Sequence, residues 1–462
     1  MTQASEIPIP ISAMHGIAWP AIPDMTGNIL LALLFQLEQS QWWPPERLRD
    51  AQFGQANSLL SHAFASVPYY TKRLTEAGFN PDTPLDEETW LNLPLLKRED
   101  IQQAGSELHS QALPKGHGKT GKVTTSGSTG KPVELLGTGL TGIFWNLFTV
   151  RDIFWRRCDF SGKLAAIRHV KSSVAAYPDG VILPNWGRSF ASAVPTGPST
   201  ILNIATPVAQ QAEWLARQEA DYLITYPSNL EALIRHCAKA GISLPALREV
   251  ETVSELVGPG LRALCREQWD TRLVDMYTTQ ETGYLALQCP EHEHYHVQSE
   301  HVILEVLDES GRPCKTGETG RVVVTDLHNF ATPLIRYDIG DYAEVGAPCD
   351  CGRGLPVLTR ILGRARGMLT LPNGERRWPV LGDGQFNDIA PIRQYQFVQK
   401  SLENIEIKLV TGRPLTDAEE NALTALIHSK LGYAFNLQFS YPAEIPRSAS
   451  GKFEDFRSEV EV

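Results

Sequence analysis

Through the middle of this chain, short segments rich in apolar and β-branched residues alternate with longer segments of helical periodicity. Residues 164–167 and 222–225 have the length and composition of buried strands. Residues 229–240 follow the second segment with apolar side chains at helical spacing. Strands and helices that alternate in this way indicate an α/β core. The chain has 462 residues, more than one ordinary core uses, which predicts two or three domains.

Outside this core the pattern predicts a long helix and a pair of strands. Residues 140–155 show helical spacing, whereas residues 302–307 and 321–325 are rich in β-branched residues. A turn region with Gly and Asp separates the two strand-like segments. We therefore predict mixed sheets and helices through the larger part of the chain.

The pattern changes once more after Gly363. A strand-like segment at 405–409 precedes a helical segment at 417–431, and an irregular tail follows. We predict a large α/β domain of several subdomains over residues 1–362 and a small α+β domain over residues 363–462.

A glycine-rich region, residues 116–130, is predicted to be a loop. Its second half and the residues after it concentrate hydroxyls, glycines and one lysine, in the order Thr124, Thr125, Ser126, Gly127, Ser128, Thr129, Gly130, Lys131 and Pro132. Glycine lets backbone N–H groups approach a phosphate, hydroxyls donate hydrogen bonds, and lysine supplies charge. Taken alone, the stretch fits a phosphate-binding loop and a surface loop equally well.

This loop is not of the Walker type. Gly116 is followed by four residues and then by Gly121 and Lys122, but Val123 stands where that motif needs a magnesium-binding hydroxyl. The sequence therefore argues against an ordinary P-loop ATPase.

Four later segments give the loop a context. They are residues 277–283 (YTTQETG), 333–341 (PLIRYDIGD), 363–364 (GR) and 446–452 (PRSASGK). In this order and spacing, and together with the loop, they resemble the motifs of the adenylate-forming superfamily of acyl- and aryl-CoA synthetases. The resemblance is closest to its phenylacetate-CoA ligase branch. It extends upstream to residues 67–70 (VPYY) and 93–95 (LPL), so that it covers residues 45–462.

The resemblance implies that the chain activates a carboxylic acid with ATP, forming an acyl-adenylate and pyrophosphate. In such a reaction the protein mainly positions the reactants and neutralises charge. The loop residues Thr125 to Lys131 would hold the β- and γ-phosphates, and Glu281 would bind Mg²⁺. Asp341 would accept hydrogen bonds from the ribose hydroxyls, and Arg364 would assist near the ribose or a phosphate. Lys452 would stabilise the α-phosphate with its point charge.

The same resemblance implies where the adenine and the acid bind. Two strand ends, Ser254-Glu255 and Met276-Tyr277-Thr278, would enclose the adenine ring. Candidates for lining the acyl pocket are Phe144, Trp145 and Tyr277, with Trp155 as a weaker one. Aromatic residues at helical spacing also build ordinary cores, so the pattern alone does not separate the two roles. The branch implies an aromatic or otherwise apolar acid.

Cysteines and histidines cluster in two places. Residues 289–296 (CPEHEHYH) contain one cysteine and three histidines, and residues 349–352 (CDCG) contain two cysteines. Groups of four thiolate and imidazole ligands favour tetrahedral zinc. Similar positions in the phenylacetate-CoA ligase branch imply the ligands Cys289, His296, Cys349 and Cys351, which would form a closed, structural site. His292 and His294 are possible substitutes, and reduced cysteines beside an exposed His-rich turn are the alternative.

The chain departs from the family pattern after the hinge at residues 363–364. One or two Asp normally follow, but Ala365, Arg366 and Gly367 stand there, and residues 371–377 (LPNGERR) predict a hairpin turn. This form resembles relatives named for capsule biosynthesis or for adenylating a deazaflavin cofactor. The acceptor of the acyl group therefore stays open between CoA, an amine and a carrier-protein thiol. The small domain is still expected to rotate, because Lys452 must enter and leave the site.

Bulk properties exclude other classes of function. A net charge of −11 argues against a general nucleic-acid binder. The longest aliphatic run, residues 29–35, is too short to span a membrane, and the N-terminus lacks the pattern of a signal peptide. Seven cysteines in a chain of this length do not form a disulfide framework, and a cytoplasmic location is expected. A homodimer is compatible with the sequence, which leaves the oligomeric state open.

Overall fold

The computed structural model describes residues 8–124, 133–170, 174–258, 260–379, 381, 385–448 and 452–460. The chain divides into two compact units. The first contains Met1–Ser161, Pro184–Pro198 and Met276–Ile361, and the second contains Gly162–Leu183, Ser199–Asp275 and Leu362–Val462. The predicted boundary at residue 363 stays a prediction, because the C-terminal hundred residues or so group with earlier segments in the second unit.

Helices and strands of the described residues intermix along the chain. The helices are α1 (Met25–Ser40), α2 (Pro45–Ser66), α3 (Pro68–Glu76), α4 (Glu87–Asn92), α5 (Arg98–Ala104), α6 (Gly139–Arg156), α7 (Arg188–Ala191), α8 (Val208–Gln218), α9 (Pro227–Ala240), α10 (Leu261–Trp269), α11 (Gln385–Ile389) and α12 (Asp417–Leu431). The strands are β1 (Gly121–Thr124), β2 (Glu134–Gly137), β3 (Leu164–Arg168), β4 (Val181–Leu183), β5 (Ser199–Asn203), β6 (Tyr222–Thr225), β7 (Glu249–Thr252), β8 (Arg272–Thr279), β9 (Gly283–Gln288), β10 (Tyr295–Val297), β11 (Val302–Leu307), β12 (Thr319–Asp326), β13 (Tyr337–Val345), β14 (Val357–Arg364), β15 (Leu369–Thr370), β16 (Arg376–Arg377), β17 (Ile392–Gln399), β18 (Asn404–Thr411), β19 (Asn436–Ser440) and β20 (Phe456–Ser458). The predicted α/β class is confirmed.

Most elements expected from periodicity are present. The helix expected at 140–155 is α6, and the strands expected at 302–307 and 321–325 are β11 and part of β12, which pair with each other. One expectation was wrong in part, since residues 121–124 of the expected loop form β1. That strand pairs with β2, so that Thr124 lies opposite Glu134.

The first unit is built on an antiparallel sheet. Its strands follow the order β11, β12, β13, β14, β10, β9 and then residues 276–279 of β8. Buried side chains of α2 and α3 share one hydrophobic core with Ile303, Leu334 and Tyr337 from this sheet and its loops. The sheet therefore holds the ends of β8 and β13 in fixed positions.

Helix α6 begins at a capping box in the first unit. The Thr138 hydroxyl accepts a hydrogen bond from the Thr141 amide, and the Thr141 hydroxyl accepts one from the Thr138 amide. The helix ends at Arg157, whose left-handed backbone stops the helical pattern. Between these ends α6 buries Phe144, Leu147 and Phe148, so its register fixes where Phe144 lies.

The second unit contains a parallel sheet in the order β8, β7, β6, β3, β5, to which β4 adds an antiparallel edge. Its pairs run β3 with β5, β3 with β6, β6 with β7, and β7 with residues 272–275 of β8. Side chains of α8 and α9, including Trp214, Leu230 and Ile234, share a core with Val250 of β7. Parallel strands of this kind place their carboxyl ends at one edge, where ligands commonly bind.

The C-terminal part of this unit has its own sheet, in the order β19, β18, β17, β20. The central pair is antiparallel and both outer pairs are parallel. Helix α12 matches the predicted range, and it starts at a capping box between Thr416 and Glu419. The predicted hairpin turn is also confirmed, because β15 and β16 pair on either side of it.

Within the described ranges, no helix has both the length and the apolar character needed to cross a membrane.

Candidate active site

Two of the predicted motifs meet at the end of β8 in the first unit. The Tyr277 hydroxyl donates a hydrogen bond to Asp341 Oδ2 on β13 at 2.8 Å. Tyr277 is buried and Asp341 is half-buried. A bulge lies between Tyr277 and Thr278 in the pairing of β8 with β9, and such bulges re-aim neighbouring side chains. The structure therefore joins two motifs that lie far apart in the sequence.

Glu281 follows in the turn between β8 and β9. The Thr279 and Thr282 hydroxyls, 2.8 Å apart, tie this turn together. The Glu281 carboxylate lies 3.5 Å from the Arg98 guanidinium on α5, and the two side chains are only 10% and 14% exposed. A cation bound by Glu281 would therefore share this carboxylate with Arg98 or displace it.

The other residues of the first unit predicted to bind ATP lie on β8 and in the phosphate loop. Met276 and Thr278 are half-buried residues of β8 on either side of Tyr277. The phosphate-loop residues Thr125, Ser126, Gly127, Ser128, Thr129, Gly130 and Lys131 lie outside the described residues. Their role stays a prediction.

Aromatic side chains of α6 lie close to the start of β9. Trp145 is partly exposed and packs edge-on against Tyr284, with ring centroids 5.2 Å apart. A Cβ atom added to Gly283 would lie 3.7 Å from the Trp145 ring, and Gly283 has a φ of 77° that disfavours other residues. Phe144 is buried and stacks on His328 at 3.9 Å. Phe144 and Trp145 thus lie near one turn, while Tyr277 contacts Asp341.

Trp155 belongs to different surroundings. It is buried, and its ring meets His296 edge-on at 5.9 Å. The guanidinium groups of Arg151 and Arg353 lie over it at 4.8 and 4.6 Å. These contacts associate Trp155 with the histidine of the predicted metal site.

In the second unit, Glu255 holds the segment that carries Lys452. Its carboxylate pairs with Arg447 at 3.1 Å and accepts hydrogen bonds from the Phe453 amide at 2.7 Å and the Ser228 amide at 3.1 Å. Burial raises the pKa of Glu255, and these partners oppose that rise. Ser254 precedes it with a φ of 69°, a conformation that is costly for a residue with a side chain. The predicted contact of Ser254 and Glu255 with adenine stays a prediction.

Lys452 itself is exposed. The Ser448 hydroxyl accepts a hydrogen bond from the Lys452 amide at 3.1 Å, and the Lys452 carbonyl accepts one from the Ser448 amide at 2.8 Å. These two bonds and the Glu255 contacts fix the backbone on both sides of the lysine. Arg364 is the half-buried last residue of β14, next to Gly363, whose φ is 77°.

The cysteine and histidine cluster forms in the first unit. Cys289, His294, His296 and Cys349 each offer a ligand atom, and these atoms all lie within 4.8 Å of one another. The sulfur atoms of Cys289 and Cys349 are 3.9 Å apart, and Cys351 Sγ lies 3.4 Å from His296 Nε2. Three of the four predicted ligands thus lie in one group with His294, and the fourth, Cys351, lies next to His296.

Burial lowers the pKa of His296 to about 4, so the ring is neutral near pH 7. Its Nδ1 lies 3.4 Å from the Leu355 carbonyl, which can only accept, so Nε2 keeps a lone pair. His294 Nε2 is buried without a hydrogen-bond partner among the described residues. Both nitrogens are therefore suited to bind a metal ion.

Sequence reasoning did not single out two groups of buried or half-buried residues in the first unit. His301, Asp326 and His328 lie together beside Phe144, and Arg336 forms a buried ion pair with Glu305. Arg336 lies within the predicted motif at residues 333–341, and this position could have identified it as a functional or structural residue. The histidines had no such signal, because neither lies in a motif with ligand spacing.

Comparisons with known proteins agree with this fold. Phenylacetate-coenzyme A ligase of Thermus thermophilus is 24% identical over 444 residues, which cover 88% of this chain and 96% of that protein. A 2-hydroxyisobutyryl-CoA ligase in the postadenylation state, in complex with R3-HIB-AMP, has a TM-score of 0.72 at 17% identity. That match covers 91% of this chain and 92% of the other.

Two further matches concern CapK proteins. Residues 384–458 match the CapK C-terminal domain family. Protein CapK of Staphylococcus aureus is 27% identical over 150 residues, which cover 29% of this chain and 31% of that protein.

In sequence and in fold the chain is similar to adenylate-forming ligases, which agrees with the resemblance predicted from its motifs. The Thermus thermophilus relative, a phenylacetate-coenzyme A ligase, is similar to this chain along most of the length of both proteins.

Proposed function

We propose that this protein uses ATP to convert an aromatic carboxylic acid into an acyl-adenylate and then transfers the acyl group to CoA. The observation that carries the proposal is the 2.8 Å hydrogen bond between Tyr277 and Asp341. It joins the motif proposed to contact adenine with the carboxylate proposed to bind the ribose. Asp341 is half-buried, which suits a carboxylate that must accept hydrogen bonds from a bound nucleoside.

The other site residues have roles that follow from their charge. The carboxylate of Glu281 is a hard oxygen ligand that suits Mg²⁺, which would neutralise phosphate charge when bound. The loop residues 125–131 would hold the departing pyrophosphate, and Arg364 would assist at the ribose or a phosphate. Lys452 would meet the negative charge that builds on the α-phosphate as the acid attacks.

Support for an aromatic acid comes from α6. Phe144 and Trp145 are consecutive residues near the Gly283 turn, and Tyr284 adds a third ring there. Flat rings of this kind favour aromatic and apolar ligands, since stacked and edge-on contacts add to the burial of apolar surface.

An amine or a carrier-protein thiol is the second candidate for the acceptor. The hairpin of β15 and β16 lies where the sequence departs from the family pattern, and residues 384–458 match the CapK C-terminal domain family. Both features lie in the part of the chain that would guide the acceptor. The adenylation step does not depend on which acceptor is used.

Pyrophosphate release tests the proposal. The purified protein is incubated with ATP, Mg²⁺ and each of a panel of aromatic, aliphatic and amino acids, with and without CoA, and products are identified by mass spectrometry. We expect release with aromatic acids and a CoA thioester as product. Release without any thioester would favour the amine or carrier acceptor, and no release with any acid would refute adenylation.

We predict that Glu255→Ala slows pyrophosphate release by roughly 10- to 100-fold. The change removes an ion pair and two amide hydrogen bonds to a buried carboxylate, and hydrogen bonds to charged groups contribute about 1.5–3 kcal/mol each. The segment that carries Lys452 would then dock less often. Glu267→Ala, an exposed residue of α10, is the control. Equal rates for both variants would contradict the docking role.

We further propose a structural zinc ion in the cysteine and histidine cluster. Zinc bonds of about 2.3 Å to sulfur and about 2.0 Å to nitrogen place tetrahedral ligand atoms roughly 3.3–3.8 Å apart. The Cys289–Cys349 distance of 3.9 Å and the Cys351–His296 distance of 3.4 Å are close to this range. Cys289, His296 and Cys349 are the common ligands, and Cys351 and His294 compete for the fourth position.

Metal analysis checks the zinc proposal. Cys289→Ser is expected to lower zinc by about one ion per chain, because serine is a poor zinc ligand. Cys314→Ser, the same change at a half-exposed cysteine, should leave the zinc content unchanged. Of Cys351→Ser and His294→Ala, the variant that loses zinc identifies the fourth ligand. Full zinc content in Cys289→Ser would refute the site.

A further inference from the structure

A second group of possible metal ligands lies beside Phe144 in the first unit. His301, Asp326 and His328 each present one ligand atom, and the three atoms lie within 4.8 Å of one another. The pairing of β11 with β12 explains why they meet, since Val302 lies opposite Asp326. His301 precedes β11 and His328 follows β12, so the strand register brings both histidines to the same end of the pair.

The protonation of His301 follows from its hydrogen bond. Its Nε2 lies 2.9 Å from the Thr282 carbonyl oxygen, which can only accept, so Nε2 carries the proton. Nδ1 of the neutral ring then has a lone pair, and it faces His328 Nδ1 at 3.4 Å. Metal-binding histidines commonly donate their other N–H to a backbone carbonyl in this way.

Asp326 is a buried carboxylate whose Oδ1 atom accepts hydrogen bonds from two backbone amides. It is 2% exposed, and its Oδ1 accepts hydrogen bonds from the amides of His328 and Asn329 at 2.9 and 3.3 Å. Among the described residues, no Lys or Arg side chain forms an ion pair with Asp326. An isolated buried charge is costly, whereas a cation bound at the carboxylate would compensate it.

His328 completes the group, since its Nδ1 lies 3.4 Å from Nδ1 of His301. Phe144 stacks on the His328 ring at 3.9 Å, with 22° between the planes, and holds its orientation. A neutral imidazole fixed in this way offers a lone pair without further rearrangement.

We propose that His301, Asp326 and His328 bind one divalent transition-metal ion of the zinc class, separate from the cysteine cluster. The 3.4 Å between the two Nδ1 atoms equals the spacing expected when both are about 2.0–2.1 Å from a tetrahedral zinc ion. Two imidazoles and one carboxylate favour zinc, cobalt or nickel over magnesium and calcium, which prefer oxygen ligands. Three protein ligands leave a position for water or a donor atom of a bound molecule.

Metal binding to the full-length protein tests this site directly. After dialysis against a chelator, the wild type and variants are titrated with Co²⁺ and with Zn²⁺, and the bound metal is counted. Asp326→Asn keeps the oxygen that accepts the two amide hydrogen bonds but loses the charge, so it should fold. We expect it to bind about one ion fewer per chain than the wild type, and His328→Gln to do the same.

The spectrum of bound cobalt separates the two sites. In Cys289→Ser, cobalt at the histidine site should show visible bands without the near-ultraviolet band of cobalt bound to thiolate. Metal content and cobalt spectra that are unchanged in Asp326→Asn would overturn the proposal. The proposal would also be overturned if His328→Gln kept its metal content but changed its preference among acids. His301 and His328 would then contact the acid. Neither result depends on whether the protein forms an acyl-adenylate.

Discussion

Replacing Lys452 with alanine should slow pyrophosphate release by about 10²–10³-fold, while the protein stays folded. Removing one group that stabilises charge in a transition state commonly costs this much, which corresponds to about 2.7–4 kcal/mol. The proposed charge is on the α-phosphate of ATP, where an ammonium group can act as a compact point charge. Lys452 is exposed, so its side chain adds little to the packing of the fold.

The matched control is Lys239→Ala, which removes an exposed lysine from α9 in the same unit. Its rate of pyrophosphate release should equal that of the wild type. We expect the Lys452 variant to keep its affinity for ATP within a few fold, because the group acts mainly in the transition state. A Lys452→Ala protein with the rate of the control would show that another residue supplies the charge.

The local order of the fold could be predicted because periodicity is a local property. The strands at 164–167 and 222–225 and the helix at 417–431 are present as β3, β6 and α12. Each is defined by the spacing of apolar residues within one segment, and the capping box of α12 fixes its start. The motif residues Tyr277 and Asp341 could also be named, because they stand in recognisable stretches.

Contacts between distant segments could not be predicted in the same way. Nothing near Glu255 in the sequence indicates that it binds Arg447 and the amide of Phe453, about 190 residues later. Likewise, His301 precedes β11 and His328 follows β12, so the two histidines are far apart in the sequence. Only the register of those strands brings them together, and register is set by the sheet as a whole.

Arg336 shows that a residue within a functional motif can also stabilise the fold. Its guanidinium pairs with Glu305 at 2.9 Å and donates hydrogen bonds to the carbonyls of Leu91 and Leu93 at 2.7 and 2.6 Å. Both side chains of the pair are nearly inaccessible, at 3% and 7% exposure. Arg336, which lies within the motif that ends at Asp341, therefore ties β11 to the end of α4 and the residue after it.

Arg336→Ala should accordingly lower the free energy of unfolding by about 3–5 kcal/mol, because it leaves Glu305 as a buried, unpaired charge. Denaturant unfolding measures the effect. The control is Arg360→Ala, which breaks an ion pair with Glu344 in which the arginine is 66% exposed; exposed pairs contribute about 0–1 kcal/mol. Equal unfolding midpoints for both variants would contradict a structural role for Arg336.

The loss in the free energy of unfolding should also depend on pH. This dependence is a second measurement, and it remains informative if Arg336→Ala is only marginally stable. Burial raises the pKa of Glu305, and Arg336 is the main partner that lowers it. Without Arg336, the pKa of Glu305 in the folded protein should lie further above its unfolded value. The folded state then favours the protonated, neutral form of the carboxyl group. The stability deficit should then be small at acidic pH and grow as pH rises through the folded pKa.

Arg336→Lys, which keeps the charge but not the planar fork, should lose less stability and show a weaker pH dependence. A deficit that is the same at every pH would mean that lost packing, and not the unpaired carboxylate, destabilises the variant.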